Sequence, residues 1–236
     1  MKGEVHMFKK FLTGVLLLAV SVLVLGACSS EPAEEAKSDK KKEIVATVNG
    51  EGILKEDYEE QLESTKATYQ QQGMNVEDLD SEAKKEMEQS VLDQLINVEV
   101  LLQTAKDKVE PIPQSEVDSE LENVKSQFQD NKQYKAALKE NKLTEEKLKV
   151  QLKEQLMMTK YIDSSIGEIT VSDEEVKSVY EQYKQQLESQ KQKPENFEAV
   201  KPQLEQQAIA QKKEEKLAKL IEDLRKSNEE NIEVLI

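Results

Sequence analysis

SEAKKEMEQSVLDQLINVEVLLQTAKDKV, residues 81–109, is the most apolar segment of the chain beyond residue 28. Apolar residues recur in it every three or four positions, as on one face of a helix: Met87, Val91, Leu95, Val98, Leu102 and Ala105. Four more widen that face: Leu92, Ile96, Val100 and Leu101. A helix that is apolar nearly all round is a buried helix, so this segment predicts the central helix of a mainly α fold.

A small β element is predicted at the two ends of the body of the chain. Residues 44–48 (IVATV) are mostly β-branched, Asn49-Gly50 is a strong two-residue turn, and Ile53-Leu54 supplies a short return strand. Residues 232–236 (IEVLI) are strand-like as well. A hairpin and a terminal strand both need a partner, so we expect the last strand to pair with the N-terminal hairpin.

Helical patterns fill most of the remaining sequence. They predict helices at residues 55–72, 114–128, 134–138, 144–166, 172–187 and 197–224. Ser172 and Glu175 form a capping-box pattern at the start of the fifth of these. Pro194 is expected to stop that helix, and Pro202 is expected to be tolerated only in the first turn of the last one.

The N-terminus is typical of a bacterial lipoprotein signal. Two lysines, Lys9 and Lys10, precede the uncharged residues 11–25, which are fewer than the roughly 20 that span a bilayer. Leu25-Gly26-Ala27-Cys28 then ends in the only cysteine of the chain. We expect cleavage between Ala27 and Cys28 and attachment of diacylglycerol to the Cys28 thiol. An ordinary secretory signal followed by a chance cysteine is the alternative.

These patterns predict a signal peptide (1–27), a flexible tether (28–43) and a single helical domain (44–236). The domain is expected to consist of N-terminal helices (44–170), followed by C-terminal helices and a returning strand (171–236). The chain has a net charge of −15; the signal peptide carries three lysines and one glutamate, and its loss leaves −17. So acidic a surface argues against binding to nucleic acid or to anionic lipid, and any membrane attachment falls to the lipid on Cys28.

The inventory of side chains excludes several chemistries. The only histidine, His6, lies in the signal peptide, and no second cysteine accompanies Cys28. The mature protein therefore lacks the residues for Ser-His-Asp or Cys-His catalysis, for histidine metal sites and for disulfides. We expect no metal, no cofactor and no enzymatic activity, although a site made of carboxylates alone stays open.

Three motifs in this order resemble the N-terminal domain of SurA and PrsA-type extracytoplasmic foldases: VATVNG (45–50), LDQLIN (92–97) with Leu101-Leu102, and VSDEEV (171–176) with Tyr180. Residues 197–202 (FEAVKP), residues 212–224 and the last strand are similar to the segment that follows the isomerase domain in those proteins. In the family, a parvulin-type prolyl isomerase domain lies between these two parts. Here only residues 182–196 separate Tyr183 from Phe197, and no folded domain fits there.

The resemblance implies a membrane-anchored chaperone that binds unfolded or newly secreted polypeptides outside the cell membrane, without isomerase catalysis. Flexible side chains that suit clients of variable sequence are Met87, Met157, Met158 and Tyr161. Side chains of these types, however, more often pack inside a hydrophobic core than contact a client. A helical lipoprotein that holds one envelope partner, or forms a homodimer, and an active isomerase are the alternatives. Arg225 is the only arginine among many lysines, which indicates an AT-rich genome and favours a Gram-positive cell.

Overall fold

Seven α-helices and a three-stranded sheet make up residues 43–236, the part of the chain that the computed structural model describes. The strands are β1 (Ile44–Val48), β2 (Glu51–Leu54) and β3 (Ile232–Val234). The helices are α1 (Lys55–Gln71), α2 (Ser81–Lys108), α3 (Gln114–Ser126), α4 (Asn131–Glu140), α5 (Glu145–Ile166), α6 (Asp173–Ser189) and α7 (Phe197–Ser227). This confirms a mainly α fold with a small β element. The predicted signal peptide and nearly all of the predicted tether lie outside the described residues.

The sheet brings the two ends of residues 43–236 together. Its order is β2-β1-β3, and both pairings are antiparallel, with Val48 opposite Glu51 on one side and Ile232 on the other. Asn49 and Gly50 have φ values of 50° and 84°, the backbone that a two-residue turn between right-twisted strands requires. The prediction that the terminal strand pairs with the N-terminal hairpin is confirmed.

The sheet packs on the middle of α2. Their shared cluster contains four strand residues, Val45, Ala46, Val48 and Ile53, and four from α2, Leu92, Leu95, Ile96 and Val100. All eight are at most 3% exposed. At roughly 25 cal/mol per Å² of apolar surface removed from water, such burial is the main force that holds the hairpin in place.

The central position predicted for α2 is confirmed. This helix packs against α1, α5, α7, β1 and β2, and nine of its residues are buried. It begins where the Asp80 carboxylate accepts a hydrogen bond of 2.8 Å from the backbone N–H of Ala83. It ends just before the two prolines at 111 and 113, which cannot continue a helix.

A second apolar cluster forms where α3, α4 and α5 meet the end of α2. Its centre is Tyr134, whose ring is 2% exposed and packs edge-to-face on Phe128 with 5.7 Å between the ring centroids. The Tyr134 hydroxyl donates a hydrogen bond to the Glu145 carboxylate. Thr144 caps α5 at its start, and Gly167 follows its last residue with a φ of 65°.

The third cluster lies between α6 and the first half of α7. It contains Val176, Val179, Val200, Leu204 and Ala208. The predicted capping box of Ser172 and Glu175 is present, with both reciprocal hydrogen bonds. Residues 190–196 alone connect α6 to α7, so no folded domain is inserted at this point of the scaffold.

Both proline expectations in this region need correction. Helix α6 ends at Ser189, five residues before Pro194, so that proline does not itself stop the helix. Pro202 is the sixth residue of α7 and lies beyond the first turn. Its ring is exposed, while Val200 and Leu204 on either side are buried against α6, and this packing holds the helix together despite the missing N–H.

No helix within residues 43–236 combines the length and the apolar character needed to cross a membrane.

Candidate functional site

An open groove runs along α2 beside α7. Ten of its eleven lining residues belong to α2, between Glu82 and Leu101, and the eleventh is Ile221 of α7. Its volume is about 790 Å³. The groove therefore follows one side of the central helix for about five turns, and Ile221 of α7 faces it. We call it the α2–α7 groove.

The apolar side chains that line the α2–α7 groove, which we call its floor, lie at one end, and the two free carboxylates, which we call its rim, lie about 18 Å away along α2 at the other. Val98 and Ile221 are half-buried, and Leu101 is 7% exposed at the point where the two helices meet. Glu82 and Glu86 stand exposed near the N-terminal end of α2, with Lys85 beside them. The site can accept an apolar group at the end near Ile221 and cations at the end near Glu82.

Arg225 joins α7 to α2 beside the groove. Its guanidinium donates to the Asp93 carboxylate and, over 3.1 Å, to the side-chain oxygen of Asn97. Both partners line the groove. Because the planar guanidinium offers several donors in fixed directions, one side chain can bond to both partners at once, which a lysine ammonium does less well.

A network of side-chain amides lies where the β1–β2 turn meets α2 and the end of α7. The Asn49 amide donates to Gln103 over 2.8 Å and to Asn228 over 3.0 Å. The Gln103 amide in turn donates to the Val48 carbonyl over 3.0 Å and to the Glu99 carboxylate over 2.7 Å. We call these residues the polar junction; it fixes the hairpin and the C-terminal part of α7 on the central helix.

Glu99 is the one titratable residue of the polar junction. Burial raises the pKa of the Glu99 carboxyl, the Gln103 hydrogen bond partly opposes this, and the nearby Glu51 carboxylate raises the pKa further. An acid whose pKa is higher in the folded than in the unfolded state stabilises the fold when protonated. The stabilisation by the protonated Glu99 carboxyl is complete below the ordinary glutamate pKa of 4.5. It is lost as the pH rises through the raised pKa of Glu99 in the folded protein.

We therefore expect Glu99→Gln to raise the melting temperature at pH 7.5, because glutamine keeps an oxygen for Gln103 without the buried charge. The gain should shrink as the pH falls toward 4.5, where the wild-type carboxyl becomes protonated. Thermal unfolding followed by circular dichroism between pH 4 and 8 measures this. Glu59→Gln on the exposed face of α1 is the control and should change the melting temperature little at any pH. A gain from Glu99→Gln that is the same at every pH would contradict the assignment.

The four residues that the sequence suggests for client binding do not line the groove. Met87 and Met157 are buried, at 6% and 9% exposure, and Met158 and Tyr161 are half-buried. The last three pack in the cluster around Tyr134. A role in client binding stays a prediction for them, and Cys28 with its cleavage site at Ala27 lies outside the described residues.

The groove and the polar junction present carboxylates, side-chain amides and apolar side chains. No group of three or more histidine, cysteine or acidic side chains that could hold a metal ion occurs within residues 43–236. The carboxylates on the rim are exposed, and the Asp93 carboxylate is engaged by Arg225. Carboxylates, amides and an apolar floor in this arrangement suit a site for a polypeptide.

A family model described as a SurA-like N-terminal domain matches residues 4–162. The chain belongs to this family. Among similar proteins, a foldase protein PrsA of Clostridium botulinum strain 657 is 30% identical over 181 residues, which are 72% of this chain and 53% of the relative. The same protein of strain Loch Maree is 31% identical over the same shares. A foldase protein PrsA of Caldanaerobacter subterraneus subsp. tengcongensis is 29% identical over 188 residues, 77% of this chain and 54% of the relative.

The family assignment confirms the resemblance to SurA and PrsA-type foldases and places the protein in a chaperone or foldase family. The chain spans about half the length of the curated relatives that it matches. The candidate-site residues that sequence reasoning missed are those that line the groove. A sole arginine in a lysine-rich chain was the one signal that could have marked Arg225 as a special contact.

Proposed function

We propose that this protein is a lipid-anchored extracytoplasmic chaperone that binds unfolded or newly secreted polypeptides and does not isomerise prolyl bonds. The observation that carries the proposal is the direct passage from α6 to α7 through residues 190–196 in a chain of the SurA-like family. The helices of a foldase scaffold are then available for holding a client, with no catalytic domain set between them. The name foldase, which the relatives carry, supports the holding of unfolded chains.

Side-chain inventory supports the absence of catalysis. Residues 43–236 contain neither histidine nor cysteine, so they lack an imidazole to act as a general base and a thiol to act as a nucleophile. What they offer instead is apolar and acidic surface. A protein of this kind delays aggregation by covering exposed segments of a client, and the client folds after release.

The lipid anchor is supported by the sequence around Cys28. Because the mature protein is strongly acidic, anionic lipid headgroups repel it, and attachment by charge is unfavourable. Two acyl chains on one cysteine are sufficient for a stable anchor. The protein would then work at the outer face of the cell membrane, where secreted chains emerge unfolded, in a Gram-positive cell as the lysine-rich composition suggests.

We expect equimolar protein to suppress the aggregation of several unrelated denatured proteins on dilution, because binding to general features of unfolded chains does not require one sequence. Light scattering measures this, and an acidic protein without chaperone activity serves as the control. A coupled protease assay should show prolyl isomerisation at the uncatalysed rate. Suppression of no client, together with one partner that co-purifies in stoichiometric amount, would instead favour an interaction lipoprotein. Isomerisation well above background would contradict the absence of catalysis.

A further inference from the structure

We propose that the α2–α7 groove is the client site, and that it selects extended segments in which apolar side chains are flanked by lysine or arginine. This inference rests on the proposed chaperone function and gives its clients a chemistry. It moves client binding from Met87, Met157, Met158 and Tyr161 to a surface between the central helix and α7.

The length of the groove fits a polypeptide rather than a small molecule. Glu82 and Leu101 are nineteen residues apart on α2, which at a rise of about 1.5 Å per residue is about 28 Å. An extended chain advances about 3.3 Å per residue, so about eight residues span this distance. Small-molecule sites are more enclosed and bury most of their ligand, whereas this groove is open along its length.

The floor supplies the apolar part of the recognition. Val98 and Ile221 are half-buried and face the groove from different helices, with Leu101 beneath them. An apolar client side chain placed between them removes surface from water on both sides, which is the term that favours binding of any unfolded segment. Because apolar contact is non-directional, it accepts different apolar side chains and does not require a particular client sequence.

The rim supplies the selection by charge. Glu82 and Glu86 are exposed, are one helical turn apart, and form no ion pair or side-chain hydrogen bond with any other residue in 43–236. Lys85 is the one cation that lines the groove, and Arg225 already neutralises Asp93. Two free carboxylates on a chain of net charge −15 attract cationic segments and repel acidic ones.

A matched pair of double variants tests the charge selection in the full chain. The probe is a fluorescein-labelled peptide of ten residues with a central Leu-Val-Leu-Val flanked on each side by two lysines and a serine. Glu82→Lys with Glu86→Lys should weaken binding of this peptide by about tenfold, since two attractions become repulsions. The control is Glu59→Lys with Glu63→Lys, which makes the same charge change one turn apart on the exposed face of α1 and should change binding by less than about twofold.

Two further measurements keep the result interpretable. Glutamine at both rim positions should weaken binding by a smaller factor than lysine does, and thermal unfolding of each variant shows whether α2 is intact. A second peptide with glutamates in place of its lysines should bind wild type weakly and the Glu82→Lys/Glu86→Lys variant better. Ile221→Ser, at the floor, should weaken both peptides.

The outcomes separate this inference from the proposed function. If wild type suppresses aggregation but the rim and control variants bind the lysine peptide equally, the groove is not the client site and the chaperone function stands. If wild type suppresses no aggregation, the chaperone function fails, and the direct peptide titration still decides whether the groove binds cationic segments. Equal affinity of wild type for the lysine and glutamate peptides would overturn the charge selection.

Discussion

Replacing Ile96 by alanine is expected to lower the free energy of unfolding by about 2–5 kcal/mol. Ile96 is completely buried and lies on the side of α2 that carries the sheet. The change removes apolar contacts and leaves a cavity between two elements that are held by other residues and cannot close on it. Since a domain is stable by only about 5–15 kcal/mol, one substitution removes a large part of the total.

Urea unfolding followed by circular dichroism at 222 nm measures this change. Val150→Ala is the control, because Val150 is on a helix, α5, but is 42% exposed and has little packing to lose. It should shift the free energy of unfolding by less than about 0.5 kcal/mol. Equal effects of the two substitutions would mean that α2 is not the centre of the fold.

The local patterns of the sequence predict most of the fold. The apolar periodicity of residues 81–109 predicts a buried helix, and the Asn49-Gly50 turn predicts the hairpin, because both depend on residues that are near each other in the chain. The capping box of Ser172 and Glu175 is local as well and is found where predicted. Pro202 departs from expectation because packing of α7 on α6, a tertiary effect, outweighs the local preference of proline.

The candidate site could not be predicted in the same way, because it depends on contacts between distant parts of the chain. Arg225 meets Asn97 across 128 residues, and Asn49 meets Asn228 across 179. A periodic pattern shows which face of a helix is apolar but not which helix covers it. The sequence pattern likewise places Met157 on an inward face of its helix but does not show that residues of α3 and α4 are its neighbours.

The polar junction also shows how a turn predicted from local sequence gains a tertiary role. The Asn49-Gly50 turn needs Asn49 only for its positive φ, and glycine or aspartate would serve the backbone there. In the folded protein the Asn49 amide bonds to Gln103 of α2 and to Asn228 after α7. The hairpin, the central helix and the end of α7 are therefore coupled through one side chain, and the part of α7 that carries Arg225 is positioned by the same contacts.

The largest functional effect is expected from Cys28→Ser, which should release nearly all of the protein from the membrane. The proposed link to the membrane is the lipid on this thiol, and serine cannot form the thioether. Attachment by charge is weak, because the acidic body is repelled by anionic lipid.

Fractionation of cells that express wild type or Cys28→Ser measures this release, and labelling with radioactive palmitate reports acylation directly. Ser29→Ala is the matched control, because it changes the neighbouring residue and leaves Leu25-Gly26-Ala27-Cys28 intact. Wild type and Ser29→Ala should carry the label and sediment with membranes, whereas Cys28→Ser should carry none and appear in the soluble fraction. If Cys28→Ser is cleaved to the size of the mature protein and still sediments with membranes, the lipid is not the anchor. If wild type is itself unlabelled and soluble, the N-terminus is an ordinary secretory signal, and the chaperone acts free of the membrane.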